Sequence, residues 1–438
     1  MRLAWFSPLP PIRSGIADYS AEIVPRLHVD RAVDCFVDQP SASPAAFNAH
    51  DFVWKHRREP YDLVVYQLGN AACHDYMWAY LARYPGLAVL HDARLHHARA
   101  RRLLHAKRFD DYRAEFWYDH PDARRDVVEY AVEGLGGPIY YFWRMLGVIM
   151  RTARMAAVHN ARVAAELAEE YPGVPIATVR MGVAPSPPSA GARERVRAEL
   201  GVPPDAIVFA AFGRVTAEKR LAAIVRAMAT LAAEGCPAHL LVIGDSGDNR
   251  DAGAGAVDRA GRRVHAAGHV PHEAIGDYLS AADACLCLRW PTAQETSASW
   301  LRCLAAARPT VISDLAHLVD IPSIDPRTWK PSHRSQQPVA IAIDLLDEDR
   351  ALLEAMRRLA ADARLRDELA AAGRAFWAAG HTLDAMAGDY RRLLDDAAGR
   401  PAPIVRDLPP HFTHDYTGLA RDIARRFGVD VDIIRSAG

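Results

Sequence analysis

The chain has 438 residues, 50% apolar and 24% charged, enough for two or three domains that each bury a core. Its formal net charge of −1 excludes nucleic-acid binding through bulk positive charge, so any attraction for anions has to be local. No apolar run reaches the roughly 18–20 residues that span a bilayer, and six cysteines without a CxxC pair read as reduced thiols in a cytoplasmic setting.

The opening MRLAWFSPLPPIRSG has a short apolar stretch cut by prolines, and it reads as a first strand at 2–6 rather than a targeting segment. Further apolar runs follow at DLVVY (62–66), LAVL (87–90), MAAV (155–158) and IATV (176–179), with a mainly helical insertion at about 93–154. GVAPSPPSAGARE (182–194) is a boundary by composition. A second series begins beyond it: AIVFAAF (206–212), HLLVI (239–243), ACLCL (284–288) and TVIS (310–313). Runs without clean alternation fit parallel strands buried on both faces. Between them Leu221, Ile224, Val225, Met228 and Leu231 recur at helical spacing and form one apolar stripe. Long Ala/Leu/Arg helices are expected at about 348–378, and a last helix within TGLARDIARRFG (417–428). The expected fold is α/β. A Rossmann-like, doubly wound parallel-sheet domain (1–185) faces a second one (186–380) across a deep cleft, and a helical tail (381–438) packs back on the first.

Open α/β sheets take ligands beyond the carboxyl ends of their strands, so the informative residues should follow strands. Gly15, in SGIADYS, would let backbone approach a phosphate closely. His91 and Asp92 leave the strand LAVL. With His96 and His97 they make four potential metal ligands, but the spacing suits no single helix face and no metal site is expected. FGRVTAEKR (212–220) sets Arg214 and Lys219 between a strand end and a helix start. Cations there are unfavourable until an anion arrives and uses both the charges and the free backbone N–H groups. The plainer reading has both solvated beside Glu218, with Arg220 on solvent or a carboxylate. Glu295 precedes a helix at about 297–307. It either accepts hydrogen bonds from sugar-like hydroxyls or stabilises the helix as a capping acid, while Thr296 and Ser297 are good caps. HHARARRLLHAKR (96–108) reads as a solvated basic helix, or as a contact for an anionic acceptor or membrane surface.

SPLPPIRSGIADY, the HD pair at 91–92, FGRVTAEKR and PTAQETSASWLRCLAAARPTV together resemble the retaining glycosyltransferases of the GT-B fold, family 4. The resemblance covers most of the chain. It implies a cytoplasmic hexosyltransferase-like enzyme of polysaccharide biosynthesis, with contact at the inner face of the membrane left open. The donor would be a nucleotide-diphosphate sugar, with no tightly bound cofactor and no metal, and the acceptor would offer a hydroxyl. Gly15 would approach the diphosphate, Arg214 and Lys219 would hold it, and His91 would line the sugar pocket. Glu295 would bind sugar hydroxyls, helped by backbone N–H groups of Thr296, Ser297 and Ala298. The segment GHVPHEAIGDYLSAAD (268–283) would pass the base, with Val270 as its backbone contact. The family's second glutamate, which holds the ribose, is replaced by Arg302 counted from Pro309, or by Cys303 counted from Glu295, and Ala307 stands where glycine is usual. Arg302 is therefore the expected nucleotide contact at that place. An epimerase or phosphorylase of the same fold, and a non-catalytic binding protein, remain as alternatives.

Overall fold

Leu3, Ala4, Trp5 and Phe6 are wholly buried, four in a row. Successive side chains of a strand leave opposite faces, so such a run requires layers on both sides of the sheet. The two faces feed different cores: Leu3 and Trp5 join a cluster with Ile23 and Leu27, and Ala4 and Phe6 one with Phe52 and Tyr66. The computed structural model describes residues 1–38, 46–245, 263–414 and 418–429.

Among these residues the first sheet has strands β1 (Arg2–Phe6), β2 (Ala32–Val37), β3 (Ala46–Asn48), β4 (Leu63–Leu68), β5 (Leu87–Leu90), β6 (Met155–Val158) and β7 (Ile176–Thr178), in the order β3-β2-β1-β4-β5-β6-β7. The second has β8 (Ile207–Phe212), β9 (Ala238–Ile243), β10 (Val264–Gly268), β11 (Ala284–Cys287), β12 (Thr310–Ser313), β13 (Ser323–Asp325), β14 (Lys330–Pro331) and β15 (Ala340–Ile343). Its order is β10-β9-β8-β11-β12-β15-β13-β14, parallel except where β14 meets β13. Both sheets are doubly wound and so leave a crevice at the carboxyl ends of their central strands. Leu68 lies beside Leu90, and Leu90 beside Val158, so His91 and His159 leave adjacent strand ends together.

The sequence reading missed β2 because Asp34 interrupts its apolar run. That carboxylate accepts a 2.6 Å hydrogen bond from the Tyr61 hydroxyl and pairs with Arg2 and Lys55, which satisfies a charge inside a strand. Short β3, β10, β13, β14 and β15 also escaped it. The last helix is found at Gly418–Arg426; residues 415–417 and 430–438 of the expected tail lie outside the described residues.

The chain crosses between the sheets near 181–183 and returns near 381–382, and the two crossings are bonded to each other. Val183 N–H donates to the His381 carbonyl at 3.0 Å, and Trp377 Nε1 to the Val183 carbonyl at 3.3 Å. A side chain at Gly182 would collide with the Thr382 carbonyl, so only glycine allows this approach. Beyond the return, helix Leu383–Gly399 lies against helix Gly15–Leu27. It buries Tyr390 on Trp5, ring centroids 5.4 Å apart, with Tyr19 and Gln67 donating to its hydroxyl at 2.7 and 3.1 Å.

The insertion carries its own small core of Leu103, Tyr112, Phe116, Val128 and Met145. Its basic helix, His96–Leu104, turns much of its charge inward. Buried Arg99 forks onto buried Glu115 and stacks 4.2 Å over Trp78, and Arg101 reaches Asp75 at 2.8 Å. A fully solvated basic face is thus replaced by internal ion pairs. No helix among the described residues is long and apolar enough to cross a membrane.

Helix Ala298–Ala305 ends in a Schellman motif: Arg308 N–H donates to the Cys303 carbonyl and Ala307 N–H to the Leu304 carbonyl. Ala307 therefore sits at φ 52°, a left-handed position that suits glycine. Ala307→Gly is expected to raise stability by about 0.5–1 kcal/mol, read as a higher urea midpoint at unchanged slope; a lowered midpoint would show that packing at this corner outweighs backbone strain.

Candidate functional site

Phe212 ends β8, and Gly213 turns the chain at φ 109°. A side chain on Gly213 would come within 2.6 Å of Ser299 Oγ and 3.1 Å of Lys219 Nζ, so the turn must be bare for these two to gather over the strand end. The Lys219 ammonium donates to the Phe212 carbonyl at 3.3 Å. Burial, and then the charge of Arg289, push its pKa down to about 8. Arg214, next to the turn, is exposed and makes no hydrogen bond or ion pair among the described residues. Arg220 leaves this group and forks onto Glu348.

The loop after β11 folds around one carboxylate. Glu295 accepts from Thr292 Oγ1 and the Ala293 N–H, both at 2.9 Å, and pairs with Arg289 Nε at 2.6 Å. Its side chain is 14% exposed. It does not cap the helix behind it: Ser297 does, accepting from the Trp300 N–H at 3.2 Å, which leaves first-turn N–H groups at Ala298 and Ser299 for another oxygen. Thr296 precedes that cap.

Asp92, after β5, faces this loop from the first domain. It accepts from the Asn70 N–H at 2.8 Å. Burial and then the Glu295 charge push it up to about 7. The adjacent backbones are joined across the cleft, Ala93 N–H to the Ala293 carbonyl at 2.9 Å, and Arg144 reaches Gln294 at 2.6 Å. Tyr141, from the tip of the insertion, donates to Glu218 at 2.6 Å, and the Trp290 N–H meets the Glu218 carbonyl at 2.8 Å.

His91 stands differently from Asp92. It is 7% exposed, its Nε2 contacts Gln67 Oε1 at 2.7 Å and its Nδ1 contacts His159 Nε2 at 3.2 Å. Burial holds it well below the ordinary histidine range, so it is a neutral member of the Gln67–Tyr390–Tyr19 network behind the cleft wall. Gly15 opens helix Gly15–Leu27, and a side chain there would meet nothing within 4 Å. The fold itself makes no demand for glycine at that position.

Arg302 is 7% exposed and crosses the cleft to Glu22, 3.0 Å to each carboxylate oxygen. Glu22 also meets His272 at 3.2 Å. The Arg302 Nη1 is buried without a hydrogen-bond partner among the described residues. Val270, just past β10, buries its side chain in the core, so only its backbone is left to face a ligand. The structure thus gathers Lys219, Glu295 and the 297–299 turn in one place, with Gly213 beneath Lys219 and Arg214 beside it, while Arg302 sits in a separate charged cluster. Sequence reasoning set Asp92 after its strand but weighed it only as a possible metal ligand, and it passed over Arg289, Ser299, Tyr141 and Gln294. Asp92 and Arg289 follow strand ends, which is the signal that marks them.

Residues 206–362 match the family model described as glycosyl transferases group 1. No curated protein matches the chain in sequence. Sucrose-phosphate synthase from Thermosynechococcus elongatus is similar in structure at 18% identity, over 90% of this chain and 98% of that one, with a TM-score of 0.63. HepE from Anabaena, solved with UDP-glucose, matches at 13% identity, over 90% of this chain and 100% of that one, TM-score 0.60. WaaG, a glycosyltransferase involved in lipopolysaccharide biosynthesis, matches at 13% identity, over 91% and 100%, TM-score 0.60. These likenesses establish the GT-B arrangement of two facing α/β domains.

Lys219 is charged below its pKa and neutral above it. Binding of a polyanion such as pyrophosphate, measured by calorimetry on folded protein, is expected to weaken as pH rises through about 8, and Lys219→Arg, whose guanidinium stays charged, is expected to flatten the profile. An affinity that holds steady across that range in the unaltered protein would remove Lys219 from the anion site.

Proposed function

We propose that this protein, whose residues 206–362 match the glycosyl transferases group 1 model, is a glycosyltransferase that moves a sugar from a nucleotide-diphosphate sugar to an acceptor hydroxyl with retention of configuration, in the manner of family 4. The observation that carries this reading is the pair of cations at the end of β8. Lys219 is drawn out of water with a backbone carbonyl for its partner, and Arg214 beside it is unpaired among the described residues. The first condition is unfavourable until an anion with several oxygens arrives, and the exposed Arg214 is placed to join in holding it. HepE was solved with UDP-glucose, which makes a UDP-linked hexose the first donor to test.

Breaking a sugar–diphosphate bond builds negative charge on the departing phosphate and oxocarbenium character on the sugar. Cations already in place strengthen their hold as that charge grows, which lowers the barrier. At about 1.5–3 kcal/mol for each charge-assisted hydrogen bond, Arg214 and Lys219 together supply roughly two to four decades of rate. Glu295 is a poor nucleophile, since Arg289, Thr292 and the Ala293 N–H already engage both its oxygens. Its remaining lone pairs suit sugar hydroxyls, with the N–H groups of Ala298 and Ser299 alongside. Attack then comes from the acceptor on the face the leaving phosphate vacates, and that phosphate takes the acceptor's proton. Arg302 offers its spare Nη1–H to the nucleotide, Val270 its backbone to the base, and Gly15 an open approach to the diphosphate. His91 supports the sugar pocket from behind, through its contacts with Gln67 and His159.

One feature favours a non-catalytic relative of this fold, namely that Glu22 already ties Arg302. Calorimetry separates the two readings, because a degenerate scaffold binds no nucleotide sugar. For the enzyme, UDP-glucose with a panel of sugar acceptors is expected to give transfer. Lys219→Ala or Arg214→Ala should each lower turnover by about ten- to a hundredfold while the protein stays folded, and near-normal turnover in both variants would refute the leaving-group role. Glu295→Ala should reduce transfer much more than UDP affinity; equal losses in the two would count against a sugar contact.

A further inference from the structure

Three of the six cysteines gather beside this site, and the reaction above uses none of them. Cys285 and Cys287 stand two apart on β11, so both leave the same face of the strand, the face on which Cys303 of helix Ala298–Ala305 shares their apolar cluster. The Cys287 and Cys303 sulfurs lie 3.9 Å apart. Cys285 and Cys303 are wholly buried, whereas Cys287 is partly exposed. Cys287 also lies within the field of the Lys219 ammonium; partly open, electropositive surroundings are where thiols react. The contact with Cys303, and then that charge, hold its thiol below the ordinary cysteine range. A disulfide needs its sulfurs about 2 Å closer than they stand, a gap that rotation about the side-chain bonds can close.

We propose that Cys287 and Cys303 are an oxidant-responsive modification site, a dithiol that a hydroperoxide converts to a disulfide and thereby disables the donor site. The Cys287 thiolate attacks a peroxide oxygen, the O–O bond breaks, and water or an alcohol leaves with the proton; Cys287 becomes a sulfenic acid. The Cys303 thiol then attacks that sulfur, the S–O bond breaks and a water departs. Two thiols have lost two electrons and the peroxide has gained them. The bond pulls on the helix whose first turn holds Ser297 to Ser299 and whose Arg302 reaches Glu22, and it removes the thiols from beside Lys219. The cross-link stands on the sulfur geometry alone; only its effect on turnover rests on the proposed function.

The test treats the folded full chain with hydrogen peroxide, stops it with catalase, alkylates under denaturing conditions and maps peptides by mass spectrometry. The expected product joins the peptides of Cys287 and Cys303, with turnover of UDP-glucose lost in proportion to the linked fraction and regained on adding dithiothreitol. Cys303→Ser is expected to stop at a sulfenic acid on Cys287 that dimedone traps. Full alkylation of Cys287 while the other partly exposed thiols, Cys73 and Cys236, are oxidised would overturn the proposal, as would a link from Cys303 to Cys285 instead. A Cys287–Cys303 link that leaves turnover intact would overturn the disabling step. If no preparation turns over any donor, the peptide map still decides the modification, and the proposed function fails separately.

Discussion

A lysine ammonium drawn out of water at the end of a parallel sheet, with a backbone carbonyl at 3.3 Å as its hydrogen-bond partner, is the constraint on which the rest of the site depends. Desolvation disfavours its charged form. The surroundings offset this only in part: Glu295 and the nearby thiols favour the charge, and Arg289 opposes it. Gly213 exists to permit the arrangement, because a side chain at φ 109° would be strained and would press on both Lys219 and Ser299. A polyanion between Lys219, Arg214 and the first turn of helix Ala298–Ala305 would relieve the cost.

The second determinant is closure. Beside the apolar cluster that runs from Trp5 to Trp300, polar and directional contacts join the domains across the cleft: Ala93 to Ala293, Arg144 to Gln294, Tyr141 to Glu218, Arg302 to Glu22. Each pairs a loop after a strand, a helix or the insertion in one domain with its counterpart in the other. Gln294 holds φ 60° while its side chain bridges Arg144 and Glu166, a strained backbone kept in place by two partners from the first domain. Burial raises the Asp92 carboxyl to about 7, and closure adds to it by setting a second carboxylate, Glu295, near it. Behind the wall, the Tyr19–Tyr390–Gln67–His91 chain of hydrogen bonds joins the returning tail helix to the strand ends, so the crossover and the cleft share one rigid network.

The fold was legible because parallel strands buried on both faces leave unbroken apolar runs, and RLAWF, LAVL, MAAV and TVIS are strands from end to end. Where a strand carries a paired charge, as β2 does at Asp34, the run breaks and the signal is lost. Within the site, strand-end position pointed to Arg214, Lys219 and Glu295, since a turn followed by a helix start is a local pattern. The partner of Arg302 was not legible: Glu22 lies 280 positions away, and the pair forms only when the domains meet. The surroundings of His91 were hidden for the same reason, because Gln67 and His159 come from other strands. The Schellman corner at Ala307 was partly visible, as a place where glycine is usual, and the backbone angle supplies the reason.

The most direct measurement is a crystal structure of the protein with a bound UDP-sugar. Arg214 and Lys219 should each lie about 2.7–3.1 Å from diphosphate oxygens, with Glu295 and the N–H groups of the 297–299 turn on the sugar. A donor bound elsewhere, or bound here with both cations facing solvent, would contradict the claim that this strand end is built for a departing diphosphate.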